Sequence, residues 1–144
     1  MINKARSKKG FTLIELIAVL FIIGILSAVA IPYMLGKADA SKWSEGKAIA
    51  GSIRTAARTF CTNMGPTYNY PGTTLAQLGF IINPEEGGGD LDGKYFTSEC
   101  FCIVFNGYND YLITVDATKS LSSDAPATPR QVTLDSAGNF VEIP

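Results

Sequence analysis

Histidine is absent from the 144 residues. With it go the commonest general base near neutral pH and the commonest neutral metal ligand. No Gly-x-Ser-x-Gly elbow and no Walker-type phosphate loop is present, and no nucleophile–base pair or pair of catalytic acids is apparent. Enzyme activity is therefore not expected, and neither is a bound cofactor. Internal repeats are also lacking. Basic charge is scarce outside the N-terminus. Lys4, Arg6, Lys8 and Lys9 put four positive charges in the first ten residues, leaving eight basic residues against thirteen acidic ones, a balance of −5 for the remainder. A net-acidic outer region does not suit a duplex nucleic-acid binder, which needs a basic patch. No specific nucleic-acid partner is expected.

What the chain does have is an apolar run. From Phe11 to Ile31 only Thr12, Glu15, Gly24 and Ser27 interrupt it. Twenty-one helical residues span roughly 31 Å, about the thickness of a bilayer's hydrocarbon core. The basic leader predicts a cytoplasmic N-terminus, with the rest outside the inner membrane. A cleavable secretory signal is the alternative, but its apolar part is usually shorter, about 7–15 residues, and ends at a small-residue site. The length favours a retained membrane helix. Glu15 is the misfit: a carboxylate inside a membrane helix costs about 2.5–3.5 kcal/mol on insertion scales, so a partner is expected for it.

Past Pro32 and Gly36 the pattern turns amphipathic. Trp43, Ile49, Ile53, Ala56, Ala57 and Phe60 recur at spacings of three and four, with Lys42, Glu45, Lys47, Arg54 and Arg58 available for a wet side. Gly46 and Gly51 weaken such a helix by about 1 kcal/mol each relative to Ala. Pro32 and Gly36 mark a place where the helix kinks or melts locally without ending. Asn63-Met64-Gly65-Pro66 ends it. A Gly- and Pro-rich loop follows, with a helical turn near Thr73–Leu78 capped by Thr73 or Thr74. Alternation at Phe101, Ile103 and Phe105, and at Tyr111, Ile113 and Val115, predicts a hairpin around Asn106–Asp110. Gln131–Leu134 and Phe140–Ile143 predict a second hairpin. The expected fold is α+β: one helix over about 11–60, its second half packed on three or four antiparallel strands. The expected segments are a leader (1–10), an apolar helix (11–31), its amphipathic continuation (32–62), a connecting loop (63–94) and a sheet domain (95–144).

Lys9-Gly10-Phe11-Thr12-Leu13-Ile14-Glu15, followed by the apolar run and Pro32, closely resembles the class III signal of type IV pilins and pseudopilins. The likeness covers about the first 50 residues; beyond them only the layout matches. It implies cleavage between Gly10 and Phe11 by a prepilin peptidase, N-methylation of Phe11, storage in the inner membrane and extraction into a filament. The implied partners are further copies, minor subunits, the peptidase and an inner-membrane assembly platform. The implied destination is an extracellular pilus or a periplasmic pseudopilus. Cleavage creates a cationic Phe11 terminus, which Glu15 of a neighbouring copy can meet. Glu15 helped only by the dipole of its own helix is the simpler alternative, worth about 0.3–1 kcal/mol. A membrane-anchored periplasmic binding domain that never polymerises is the competing function.

Cys61, Cys100 and Cys102 are an odd set in a compartment where disulfides persist. Cys61–Cys100 is slightly preferred over Cys61–Cys102, and would close a loop of about 40 residues worth roughly 4 kcal/mol. The third thiol is left to be buried or to link subunits. The difficulty is that Cys100 and Cys102 share the less apolar face of their strand. Cys-x-Cys is a weak metal signal. Glu85, Glu86, Asp90 and Asp92 crowd a glycine-rich loop without EF-hand spacing, which favours a solvated loop over a calcium site. Phe11, Phe21, Tyr33, Trp43 and Phe60 string aromatics along the helix; packing accounts for them better than a stacked electron path does.

Overall fold

The computed structural model describes residues 10–82 and 88–144, and only the backbone of residues 35 and 36. The chain divides into two compact units, the first ending at Leu35 and the second Gly36–Pro144. Helix α1, Leu13–Met64, includes Pro32 and contributes to both. Four strands follow: β1 (Phe101–Gly107), β2 (Asp110–Asp116), β3 (Gln131–Asp135) and β4 (Phe140–Ile143). They form one antiparallel sheet in the order β1-β2-β3-β4. The expected α+β layout is the one observed.

In the second unit, the buried line of α1 is Trp43, Gly46, Ala50, Ile53, Ala57 and Cys61. Ile49 and Phe60 lie beside that line, half-buried. The expected stripe is thus correct in period but turned slightly, because small residues occupy its centre. The helix presses close to the residues before β1. A Cβ on Gly46 would stand 2.9 Å from Cζ of Phe96, whose ring lies 4.9 Å from that of Trp43.

The charged residues expected on a wet face do more than meet water. Lys42 pairs with Asp124 at 2.8 Å and Lys47 with Glu142 at 2.7 Å. Glu45 Oε1 accepts the Tyr95 and Phe96 amides, and Arg54 donates to the Ser136 carbonyl. Asp39 takes the Ala127 and Thr128 amides. These bonds tie the flanks of the helix to the loops around the sheet.

The strand faces follow the alternation: Phe101, Ile103, Phe105, Tyr111, Ile113, Val115, Val132 and Leu134 are buried. The first hairpin is tighter than expected. Only Tyr108 and Asn109 lie between the strands, Asn109 adopts φ 55°, and the register shifts between Phe105 and Gly107. Asn tolerates that left-handed conformation better than most residues. The second hairpin turns where expected. Asp135 accepts the Gly138 and Asn139 amides and the Asn139 side chain, which holds its carboxyl below the usual range. The turn at Leu75–Leu78 is a short 3₁₀ helix capped at Thr74, whose amide donates to the Gln77 side chain at 2.8 Å.

The two helix glycines should respond oppositely to substitution. Gly51 has open space around a new Cβ, so Gly51→Ala should stabilise by about 0.5–1 kcal/mol. Gly46→Leu should destabilise by about 2 kcal/mol or more by overpacking against Phe96. Thermal unfolding of both full-length variants in detergent tests this; equal shifts of the same sign would contradict it.

Candidate functional site

The head of α1 is built by Thr12 and Glu15. Leu16 N–H donates to the Thr12 carbonyl at 3.3 Å, the first bond of the helix, which makes Thr12 the N-cap. Thr12 Oγ1 accepts the Glu15 amide at 3.3 Å, and Glu15 Oε2 accepts both the Thr12 amide and the Thr12 hydroxyl at 2.9 Å. This is a reciprocal capping box, in which cap and third residue satisfy each other's amides. Sequence reasoning saw the helix dipole but missed this pairing, although Thr-x-x-Glu ahead of an apolar run is its signature. Glu15 Oε1 has no hydrogen bond among the described residues.

Around that carboxylate the surface is apolar. Phe11 is 88% exposed, and Leu13, Ile14, Ile17, Phe21 and Leu26 are all more than half exposed. The helix is long and apolar enough to cross a membrane, and none of its most apolar stretch is buried. Pro32 lies inside the helix and cannot donate to the Ala28 carbonyl one turn back. Gly36 is helical too. Gly10 precedes the helix with open space around it, while the four leader cations lie outside the described residues.

The cysteines depart from expectation. All three are free thiols, so neither the Cys61–Cys100 nor the Cys61–Cys102 bridge is made. Register explains the separation. Tyr70 donates to the Cys61 carbonyl at 3.2 Å and stacks on Phe105, which puts Cys61 at the far end of β1. Cys100 precedes the near end of that strand, five residues from Phe105. At about 3.3 Å per residue that is roughly 16 Å, against the usual limit of about 7 Å between bridged Cα atoms. Cys102 is exposed on the outer face of β1, whereas Cys100 is buried because it belongs to the turn before the strand.

The acidic loop is also put to other use. Asp90 accepts the Ile81 amide, and Asp92 accepts those of Gly89 and Ser98. Burial alone would raise the Asp92 pKa, but the Ser98 and Gly89 amides outweigh it and hold the carboxyl below its ordinary value. Glu85 and Glu86 lie outside the described residues. Among the described residues no three acids, cysteines or histidines gather as metal ligands. Of the helix aromatics, Trp43 packs on Phe96 and Phe60 on Tyr68 and Tyr70, whereas Phe11, Phe21 and Tyr33 are exposed.

Comparison with known proteins places this helix head in a family. The model of the prokaryotic N-terminal methylation motif matches residues 5–31. The type IV narrow pilus major component PilA5 of Thermus thermophilus is 46% identical over 90 residues, covering 62% of this chain and 70% of that protein. The chain belongs to the type IV pilin family. It is also similar to the type IV major pilin PilA of Myxococcus xanthus, 48% identical over 52 residues, 36% of this chain and 24% of that protein. The type II secretion core protein G of Pseudomonas aeruginosa is 34% identical over 79 residues, 55% of this chain and 54% of that protein. The pilin thus spans about a quarter and about half the length of these two relatives. No solved structure matches it with comparable significance.

The thiols give a direct check. In the folded pilin, Cys102 should react with a maleimide within minutes while Cys61 and Cys100 stay protected. In denaturant without reductant all three should react. Only one reactive thiol in denaturant would show a bridge and contradict the free-thiol arrangement.

Proposed function

We propose that this pilin is a structural subunit that polymerises through α1, with Glu15 completing its contacts on another copy. One observation carries the reading: Glu15 Oε2 is taken by Thr12, while Oε1 has no partner among the described residues and lies in an otherwise apolar surface. Cleavage after Gly10 would turn the Phe11 amide into a charged amine, to be N-methylated. In a bundle of such helices that amine supplies the missing partner. Truncating one member of a buried ion pair strands the other at about 3–5 kcal/mol, so the pair sets which helix register is allowed. Pro32 and Gly36 are the places where α1 would loosen as a subunit leaves the bilayer.

The work is mechanical rather than catalytic. The mature chain would begin at Phe11, held in the inner membrane by 11–31 with the domain beyond it outside. The amphipathic continuation (32–62) carries the loop (63–94) and sheet (95–144) that would form the filament surface. A prepilin peptidase, minor pilins and an assembly platform are the proposed partners besides other copies. A pilus on the cell surface is preferred, since two of the relatives described above are major pilus components. The similarity to a type II secretion core protein supports a periplasmic pseudopilus as the second reading. Electron microscopy of sheared cell surfaces separates the two.

Two outcomes test the proposal. Mass spectrometry of the mature protein should find an N-methylated Phe11 start; an intact Met1 start, or a cut beyond the apolar run, would favour a non-polymerising anchored domain. Glu15→Ala should insert into the membrane normally and lose at least 10-fold in filament yield. Wild-type yield from that variant would remove the pairing from the mechanism.

A further inference from the structure

The two edges of the sheet are unlike each other and both are open. β1 and β4 are the outer strands. Along β1, Cys102–Phe105 make no backbone hydrogen bond to any element other than β2 among the described residues. Natural sheets blunt such edges with lysine, proline or an inward charge. The sequence of β1, Phe-Cys-Ile-Val-Phe-Asn-Gly, has none of these. A groove of about 530 Å³ runs along this edge instead. All five residues from Phe101 to Phe105 line it, together with the loop from Gly72 to Ala76, Ile82 and, just before the strand, Ser98 and Glu99. Residues of both strand faces contribute, so the groove follows the edge itself and not one face of the sheet.

β4 has the complementary form. It pairs with β3 alone, all four of its residues are exposed, and Val141 is 58% and Ile143 41% exposed. Its one charge, Glu142, is held by Lys47. Four extended residues span about 13 Å, and the five groove-lining residues of β1 about 17 Å, so β4 fits within the length of the groove.

We infer that the β1 groove accepts β4 of another copy, adding a strand to the sheet across the subunit boundary. Main-chain hydrogen bonds would supply affinity, and the apolar walls would take alternate side chains of the incoming strand. Because β1 and β4 are different edges of one sheet, the contact is head-to-tail. Such a contact does not close on itself as a two-fold dimer does; it propagates into a ring or an open helical array. That is the symmetry a filament needs, and the inference rests on the filament reading above. It adds a second contact, made by the outer domain, to the one made by α1.

Native Cys102 lines the groove and is exposed, so it serves as a built-in probe. Filaments of Val141→Cys and of Ile143→Cys, each full length, should be oxidised and run without reductant. A ladder extending beyond the dimer is expected from at least one of them, and Cys102→Ser in the same background should abolish it. In parallel, Val104→Lys places a charge on an exposed edge residue; monomer melting in detergent should be unchanged while filament yield falls at least 5-fold. Intact filaments that give no Cys102-dependent ladder from either position, or Val104→Lys filaments at wild-type yield, would overturn the edge contact and leave the α1 reading standing. Dimers formed through Cys102 with no introduced cysteine would also overturn it, by showing β1 against β1. A wild-type chain that forms no filaments would instead strike the filament reading itself.

Discussion

From Leu13 to Ile31 the helix offers apolar side chains on every face, and none of its most apolar stretch is buried. A helix that is hydrophobic all round requires an apolar environment on all sides. Lipid can supply it, and so can other copies of the same helix. At about 25 cal/mol per Å² of apolar surface, either environment is strongly preferred to water. Between the two the apolar effect hardly discriminates, because lipid tails are as apolar as leucine. Selection between bilayer and bundle must come from something else, and the only ionisable group in the stretch is Glu15.

The capping box refines how that group behaves. A bare carboxylate in hydrocarbon would oppose membrane storage outright. Here Thr12 satisfies Oε2 twice and the Glu15 carboxylate sits in the first turn of its helix, where the backbone dipole favours negative charge. The cost of storage is reduced without using up the carboxylate's capacity to accept. Before cleavage the Phe11 nitrogen is an uncharged amide and no ion pair can form with it. In the proposed assembly the cut therefore changes Glu15 from a locally satisfied cap into half of an intermolecular contact.

Most of the fold was legible in the residues, for specific physical reasons. Alternation at Phe101–Phe105 and Tyr111–Val115 predicted the buried face because a strand's side-chain period is 2. The amphipathic period of α1 was equally plain. Its exact rotation was not, since Gly46, Ala50 and Cys61 carry little hydrophobic signal, yet they lie where the helix presses closest to the core. Charged residues misled in the other direction. Glu45 looks solvated in sequence, but it accepts backbone amides from a segment about fifty residues away. Nothing local encodes such a partner. The cysteines illustrate the same limit: spacing along the chain allowed a bridge that the register of β1 against Tyr70 and Cys61 keeps apart.

The two open edges and the naked helix pose related problems at different depths. The apolar stretch of α1, Leu13–Ile31, is uniform around its axis, so packing of apolar surface alone leaves rotation and axial register poorly specified; in the proposed assembly a single charged pair would remove that freedom. An edge-to-edge strand contact in the outer domain would act with different chemistry, through directional main-chain hydrogen bonds. Two such contacts would restrain a subunit more than either alone. Their sensitivities also differ. The proposed inner pair, shielded from water in a helix bundle, would be little affected by salt, whereas the Lys47–Glu142 pair is partly exposed and screened. Glu142 belongs to β4, which its ladder to β3 holds independently, so screening that ion pair leaves the strand and its open edge in place.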